Sequence, residues 1–414
     1  MKSFNVPAQY RSPFVTAIKL RRKAADKMKK DPSPTRLDLG PLEVILARHF
    51  GFCYGVENAI EIAFRAVSEN PGKRIFLLSE MIHNPGVNAD LEALGVRFLM
   101  DTKGAHVHDW DDLTPDDVVI VPAFGTTVEL EKLLREKGIE PSAYETTCPF
   151  VEKVWNRAEK IGAEGYTVVV HGKPRHEETR ATFSHSKEHT PTVVVNDMKE
   201  AERLAEYIRG DRPLDTFETE FAGQYSVGFN PARDLQRLGV VNQTTMLATE
   251  TQAIADFLKS VMIEKYSLTP ETLASRFADT RDTLCYATSD NQGAVNAMLE
   301  VDADLALVIG GYNSSNTSHL VELCEERLPT YYIEDESCLI SPDLIRHFNM
   351  HTKTVLQTEH FLPAHRPVKV LVTAGASCPD AVVERVIERL SELLQVTVSF
   401  EEITRQWVGG PTTA

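Results

Sequence analysis

The chain has 414 residues, which predicts about two to four domains. Its 42% hydrophobic and 25% charged residues are typical of globular proteins, and no apolar run approaches the ~20 residues of a membrane span. The net charge of −16 argues against a nucleic-acid partner, and six cysteines are too few for a disulfide-stapled secreted scaffold. We expect a soluble cytoplasmic protein without membrane contact.

The positive charge is concentrated at the N-terminus. Residues 1–30 carry nine Lys or Arg and a single acidic residue, Asp26, which leaves −24 for the rest of the chain. This segment lacks the apolar core of a secretory signal and is poorer in Ser than a chloroplast transit peptide. We interpret residues 1–41 as a basic N-terminal extension. Its two possible roles are docking of an acidic partner and a disordered, solvated tail.

A strand–turn–helix pattern recurs along the remaining chain. Continuous apolar runs are typical of strands buried on both faces, so the pattern predicts an α/β fold built from parallel units. Two of these runs precede helices predicted at 128–137 and 380–390. The predicted strands begin near Leu42, Val118, Tyr166, Gly239, Leu305 and Val368.

The spacing of these units predicts three lobes. Their ranges are 42–147, 148–284 and 285–414, the last including the C-terminal tail. Within the second lobe, the Gly- and Pro-containing segment 210–236 predicts an irregular insertion. Ligands of such units bind beyond the carboxyl ends of the strands, so we expect the site in the loops that follow them.

Three cysteines, Cys53, Cys148 and Cys285, lie in turn-like sequences separated by 95 and 137 residues. Only the whole fold could bring them together. Three thiolates around one cluster would leave one metal position open to substrate. The alternative is that each is a small buried apolar residue.

The other cysteines have weaker contexts. Cys324 lies on an apolar helix stripe, which predicts a core position, and Cys338 lies in a loop without a metal-like context. Cys378 precedes a proline beside a polar loop and is therefore a rival ligand.

Two chain segments, one at His83 and one at 171–178, carry histidines, and the second also carries an acidic residue. His83 ends an apolar run at a turn, and the segment 171–178 contains two His, one Lys and one Arg after a buried strand. A lone His at a strand end is more often a hydrogen-bonded turn residue, whereas a cationic run is typical of an anion-binding loop. Glu178 beside this run is better explained as a proton carrier near the bound anion.

Three loops are rich in hydroxyl and amide groups: 243–245, 313–316 and 375–377. Ser and Asn before a helix are ordinary caps, but helix N-termini also bind phosphate. No nucleotide-binding fingerprint is present. Together the groups indicate redox chemistry on a phosphorylated small molecule. A cluster-dependent hydratase or dehydratase and a non-catalytic binder of phosphorylated ligands are the alternatives.

From about Leu42 to Leu390 the chain closely resembles the 4-hydroxy-3-methylbut-2-enyl diphosphate reductases, in particular the cyanobacterial and plant-type branch. Many ordered motifs carry the resemblance, and together they are highly specific. They are Gly51-Phe-Cys-Tyr-Gly-Val-Glu57, Ile82-His-Asn84, Thr146-Thr-Cys-Pro149, His176-Glu-Glu-Thr179, Asn242-Gln-Thr-Thr245, Cys285-Tyr-Ala-Thr288, Asn313-Ser-Ser-Asn316 and Thr373-Ala-Gly-Ala-Ser377.

The resemblance implies a trefoil-like, three-lobed α/β fold with pseudo-threefold symmetry around a central [4Fe–4S] cluster. Cys53, Cys148 and Cys285 match the three ligands, and the iron without a protein ligand would bind the allylic hydroxyl of the substrate. Glu178 matches the acid that delivers a proton, with help from Thr244. The residues that match the diphosphate binders are His83, His176, Ser314, Ser315, Asn316 and Ser377.

The implied reaction is reductive dehydroxylation of the allylic diphosphate to isopentenyl and dimethylallyl diphosphates, the last step of the methylerythritol phosphate route. Ferredoxin, or flavodoxin, is the implied electron donor. One departure stands out: Phe124 occupies the position of a third substrate-binding His in many bacterial members. We expect its contact to be lost or taken over by Thr126, His171 or Lys173.

Overall fold

The structure is a computed structural model that describes residues 4–28, 30–278 and 283–409. The chain divides into two compact units. The first unit comprises Met1–Glu57, His83–Gly86 and Tyr286–Ala414, and the second comprises Asn58–Ile82 and Val87–Cys285.

Strands and helices are numbered separately along the chain. The strands are β1 (Thr35–Asp38), β2 (Leu42–Leu46), β3 (Ile75–Leu77), β4 (Val96–Phe98), β5 (Val118–Ile120), β6 (Thr167–His171), β7 (Thr192–Val195), β8 (Leu238–Asn242), β9 (Leu305–Ile309), β10 (Thr330–Ile333), β11 (Leu344–Asn349), β12 (Thr354–Glu359) and β13 (Val368–Ala374).

The helices are α1 (Pro13–Ala25), α2 (Tyr54–Glu69), α3 (Pro85–Ala93), α4 (Val128–Glu136), α5 (Pro149–Ala163), α6 (Glu177–Lys187), α7 (Met198–Arg209), α8 (Phe217–Glu220), α9 (Pro231–Asp234), α10 (Ala248–Tyr266), α11 (Tyr286–Met298), α12 (Ser315–Glu325), α13 (Asp380–Leu393) and α14 (Phe400–Gly409). Short 3₁₀ helices span Ala8–Tyr10, Trp110–Asp112, Pro141–Tyr144, Leu214–Thr216, Leu273–Ser275 and Glu336–Cys338. Among the described helices, none has both the length and the apolar character of a membrane span.

The first unit is built on a seven-stranded sheet of order β1-β2-β13-β9-β10-β11-β12. The four strands β2, β13, β9 and β10 are parallel neighbours, whereas β1, β11 and β12 add antiparallel edges. Every residue of β9 is buried, as expected for a parallel strand covered on both faces. The loops after β9 and β13 therefore emerge at one edge of the sheet.

The second unit contains two three-stranded parallel sheets, of orders β4-β3-β5 and β7-β6-β8. Val169, Val193 and Val240 of the second of these sheets pack with Leu204 and Leu258 from α7 and α10 in one apolar core. The predicted α/β fold is thus confirmed, with three sheets in the described residues. The helices predicted at 128–137 and 380–390 are α4 and α13.

Chain order and sheet membership differ at the first predicted lobe. The strand that begins at Leu42 pairs in parallel with β13, so Val44 lies opposite Val370. The other strands of the range 42–147 form the separate sheet β4-β3-β5. This pairing joins residues more than 300 positions apart. The apolar sequence of a five-residue strand does not indicate which distant strand it pairs with.

The basic extension is folded in its described part. Ser12 caps α1 by accepting a hydrogen bond from Val15 N at 2.8 Å, and Pro13 occupies the first helical turn. Phe14 is fully buried, with its ring centroid 5.0 Å from that of Phe400 in α14. A disordered tail is therefore not what residues 4–28 form.

Candidate active site

Five predicted substrate-binding residues lie in the first unit, and all are buried. Ser314, Ser315 and Asn316 begin α12 directly after the loop that follows β9, and Ser377 follows β13. His83 lies in the segment His83–Gly86, which belongs to the same unit. The carboxyl edge of the sheet thus collects donors from several chain segments, as the strand–turn–helix pattern predicted.

Direct contacts hold these segments together. Ser377 Oγ donates a hydrogen bond to the His83 carbonyl at 3.0 Å, and Ala376 N donates to Asn316 Oδ1 at 2.9 Å. A Cβ added to Gly311 would lie 2.5 Å from the His83 carbonyl oxygen. Glycine is therefore required there for the loop after β9 to approach His83 so closely.

The two serines at the start of α12 have different hydrogen-bond states. Ser314 Oγ accepts from Thr317 N at 3.2 Å and from Thr317 Oγ1 at 2.9 Å, which uses both of its lone pairs. Its own proton is left to be donated elsewhere. Ser315 Oγ is buried without a hydrogen-bond partner among the described residues. Two hydroxyl donors at a helix N-terminus suit an anionic ligand.

Cys53 lies in a turn beside this edge. Its N–H donates to the Ala376 carbonyl at 3.2 Å, and α2 begins at the next residue, Tyr54. Gly51, two residues earlier, has φ +76°, a conformation that favours glycine. Cys53 is half-buried and directly precedes the N-terminus of α2.

Glu178 is the central acid of the second unit. It lies in the first turn of α6 and is 1% exposed. Thr244 holds both of its oxygens: the backbone N–H donates to Oε1, and Oγ1 donates to Oε2 at 3.1 Å. His176 caps the same helix, with its Nδ1 accepting from Glu178 N at 3.2 Å. The predicted acid and its two neighbours are thus in direct contact.

Cys148 and Cys285 belong to the same unit as Glu178. Cys148 N donates to the Ala123 carbonyl at 3.0 Å, and Cys285 N donates to the Thr244 carbonyl at 3.2 Å. Burial, together with the nearby Cys285 and Glu178, raises the pKa of the Cys148 thiol to about 11. Neighbouring acidic groups in a buried place disfavour thiolates unless a cation compensates them.

Phe124 packs edge-on against His176, with ring centroids 5.6 Å apart. Of the residues considered as substitutes, His171 is fully buried, and its Nδ1 lies 3.2 Å from Thr251 Oγ1. Its Nε2 lies 4.0 Å from a carboxylate oxygen of Glu250. His171 is therefore engaged inside the second unit, which leaves Thr126 and Lys173 as the predicted substitutes.

The remaining cysteines are core residues. Cys324 is fully buried on α12, as predicted, and Cys338 is 1% exposed. Cys378 is also fully buried, and its Sγ lies 3.7 Å from the Pro379 carbonyl oxygen. Burial raises the pKa of the Cys378 thiol far above its usual value, and Asp380 acts in the same direction.

Comparison with known proteins gives the family. The family model described as "LytB protein" matches residues 44–391, most of the chain. The chain belongs to the LytB family. Among curated members, the proteins of Synechococcus sp. strain PCC 6301 and Gloeobacter violaceus are each 42% identical to it. The alignments cover 86% of this chain and 87% and 84% of theirs. Both are named 4-hydroxy-3-methylbut-2-enyl diphosphate reductase.

Solved structures agree with this membership. A structure titled as (E)-4-hydroxy-3-methyl-but-2-enyl diphosphate reductase, the terminal enzyme of the non-mevalonate pathway, is 25% identical, with a TM-score of 0.50. It is matched over 84% of this chain and 99% of its own. The Plasmodium falciparum reductase is 21% identical, with a TM-score of 0.60 over 84% and 87% of the two chains, and supports the fold alone.

LytB proteins depend on iron–sulfur chemistry. Cysteine thiolates are the usual protein ligands of iron–sulfur clusters. Across the described ranges, no three His, Cys, Asp or Glu side chains form a group suited to a single metal ion. In a [4Fe–4S] cluster each thiolate binds a different iron, so its ligands need not meet around one point. Half-buried thiols that directly precede helices are chemically suited to such a group.

In this LytB protein, Thr317 is a further residue of the site that no sequence motif indicated. It is fully buried and fixes Ser314 through two hydrogen bonds. A Cβ added to Gly375 would lie within 2 Å of Thr317 Oγ1, so the loop after β13 also packs on it. The available signal was a hydroxyl residue three positions after a helix cap, the spacing of reciprocal capping pairs.

Proposed function

We propose that this protein is a 4-hydroxy-3-methylbut-2-enyl diphosphate reductase. The reaction breaks the allylic C–O bond, takes up two electrons and two protons, and releases water with isopentenyl or dimethylallyl diphosphate. One proton leaves with the hydroxyl group, and the other is added to the allylic carbon skeleton. Family membership with relatives of this name supports the assignment.

The observation that carries the mechanism is the buried carboxyl of Glu178 with both oxygens held by Thr244. Hydroxide is a poor leaving group, so a proton must reach the departing oxygen. A carboxyl fixed in one plane and shielded from water can hold that proton at a defined place. Thr244 positions Glu178. The Thr244 carbonyl also accepts the hydrogen bond from Cys285 N, so the same residue contacts the acid and the main chain of Cys285.

Binding of the diphosphate is assigned to His83, Ser314, Ser315, Asn316 and Ser377, with His176. The unpartnered hydroxyl of Ser315 supports this assignment, as does the Ser314 hydroxyl, whose oxygen accepts two hydrogen bonds and whose own proton can be donated to a ligand. Ser377 and Asn316 make protein contacts in the described structure, so they act by exchanging these bonds or by holding the loops in place. A fixed diphosphate aligns the allylic end for reaction.

We assign Cys53, Cys148 and Cys285 as the ligands of a [4Fe–4S] cluster in which one iron has no protein ligand. When bound, this group supplies single electrons and a Lewis acid for the departing oxygen. A one-electron carrier, ferredoxin or flavodoxin, is the proposed donor, in the cytoplasm. The predicted arrangement around this centre is three-lobed and pseudo-threefold. Its lobes are 42–147, 148–284 and 285–414.

The test replaces Glu178 by Gln in anaerobically purified protein. We expect the variant to keep its iron and sulfide content and its brown absorbance near about 410 nm. Turnover with a chemical reductant should fall by about 100-fold or more, the range expected for loss of a general acid. Glu188→Gln, an exposed position just after the same helix, is the matched control and should react normally.

Near-normal turnover of Glu178→Gln would remove the proton-donor role. Turnover of the unchanged protein without any reductant would instead favour a dehydratase and overturn the proposed reaction. A colourless protein after anaerobic reconstitution would overturn the cluster assignment.

A further inference from the structure

The N-terminal segment reaches the turn that carries Cys53. The ring of Phe4 packs edge-on against that of Tyr54, with centroids 4.8 Å apart. Tyr10 makes a similar contact with Phe52 at 6.0 Å. Phe4 and Tyr10 are both buried. The residues on either side of Cys53 are thus each packed against an aromatic side chain from the extension.

Lys19 of α1 contacts the N-terminal side of the same turn, at Phe50 and Gly51. Its Nζ lies 2.7 Å from Asp380 Oδ1 and 4.6 Å from the centroid of the Phe50 ring. A Cβ added to Gly51 would lie 2.5 Å from Asp380 Oδ1 and 3.2 Å from Lys19 Nζ. The ion pair therefore rests directly on the backbone two residues before Cys53.

The segment that makes these contacts is internally braced. The Arg11 guanidinium donates hydrogen bonds to the carbonyl oxygens of Val6 at 3.2 Å and Phe4 at 2.6 Å, which bends the chain before α1. Ile18, on the buried face of α1, is 2% exposed. Residues 4–19, called the N-terminal strap from here on, therefore form a folded cover and not a loose tail.

The exposed basic face of the extension has the charge that docking of an acidic partner requires. Lys23 and Lys27 are exposed there, but nothing in the described residues identifies a partner that covers them. Phe4, Tyr10 and Lys19 of the strap, in contrast, all contact the turn that carries Cys53. These contacts carry a more specific inference.

We propose that the N-terminal strap positions the Cys53 turn and shields its thiol, and that Lys19 is the positioning residue that locks it. The inference rests on the proposed function, because that function assigns Cys53 as an iron ligand. Release of the strap would expose the thiol in the cluster-free chain. In the loaded protein it would expose the iron held there to water and oxygen.

The first test uses cluster-free protein in reducing buffer. Lys19→Met keeps the length of the side chain but removes the charge that binds Asp380. We expect iodoacetamide to alkylate Cys53 about threefold faster or more in this variant, because local opening becomes more frequent. Peptide mass spectrometry reports each cysteine separately, and the rates at Cys148 and Cys285 should not change. Lys23→Met, an exposed position on the same helix, is the control.

Lys19→Arg should restore the slow rate, because the guanidinium can keep the ion pair with Asp380. Equal Cys53 rates in Lys19→Met and the unchanged protein would overturn the proposal. So would a parallel increase at Cys148 and Cys285, since that indicates only a less stable fold. If Lys19→Met fails to fold, Phe4→Leu removes the aromatic contact with Tyr54 and is judged by the same rates.

A second readout uses the loaded protein. Lys19→Met should lose its absorbance near about 410 nm in air about threefold faster, and the cluster midpoint potential should shift. Unchanged values for both would contradict the proposed shielding. Because alkylation needs neither cluster nor substrate, it separates failure of the strap from failure of the proposed reductase activity.

Discussion

At the scale of single residues, Ser314 and Ser315 are neighbours with different roles. Ser314 is fixed by Thr317 and can offer only its proton, whereas the Ser315 hydroxyl is buried with no partner in the described part of the chain. An unsatisfied buried hydroxyl costs free energy in the unliganded protein. A ligand that accepts its hydrogen bond removes this cost, so the site is prepared for an anion.

Ser315→Ala should therefore weaken substrate binding more than folding. Loss of one hydrogen bond to a charged group costs about 1.5–3 kcal/mol, which corresponds to a rise in KM of about 10-fold to 100-fold. Steady-state kinetics with a chemical reductant measures this rise. Ser318→Ala on the same helix, whose hydroxyl donates to main-chain carbonyls, should leave KM within about twofold. An unchanged KM for Ser315→Ala would remove this residue from the binding site.

At the scale of elements, the loop after β9 depends on close approach of two main chains. Gly311 has no room for a Cβ because the His83 carbonyl is in the way. Gly293 on α11 has the opposite environment, since a Cβ there would meet nothing within 4 Å. It is also exposed within a helix.

The same substitution should accordingly have opposite effects at these two glycines. Gly311→Ala should destabilise the protein by about 1–3 kcal/mol, because main chain cannot move as a side chain can. It should also raise KM by moving His83. Gly293→Ala should stabilise by up to about 1 kcal/mol through helix propensity. Urea unfolding midpoints measure both, and two shifts of the same sign would contradict the close approach seen at Gly311.

At the scale of the whole molecule, the proposed cluster ligands come from remote parts of the chain, separated by 95 and 137 residues. The cysteines divide by environment: Cys53, Cys148 and Cys285 are half-buried, and Cys324, Cys338 and Cys378 are buried. Each cysteine of the half-buried set directly precedes a helix, α2, α5 or α11. The three cysteines that the motifs predict as ligands are the half-buried ones, and their role stays a prediction.

Replacement of each cysteine in turn should separate the two sets. Cys148→Ser, and equally the Cys53 and Cys285 variants, should lose most of the iron after anaerobic reconstitution, since each would remove one ligand. Cys324→Ala and Cys378→Ala should retain iron, although they are less stable because each leaves a small cavity. Iron and sulfide assays decide this, and full iron content in Cys148→Ser would sink the ligand assignment.

The sequence by itself determined the α/β units, and its motifs predicted Cys53, Cys148, Cys285 and Glu178 as site residues. Continuous apolar runs, glycines and motif residues are local, and local signals survive in a linear sequence. Only the tertiary structure decided that β2 pairs with β13, that Thr317 fixes Ser314, and that residues 4–19 cover the Cys53 turn. Each of these depends on which distant surfaces fit together, and a pairing between remote segments leaves no periodicity in either one.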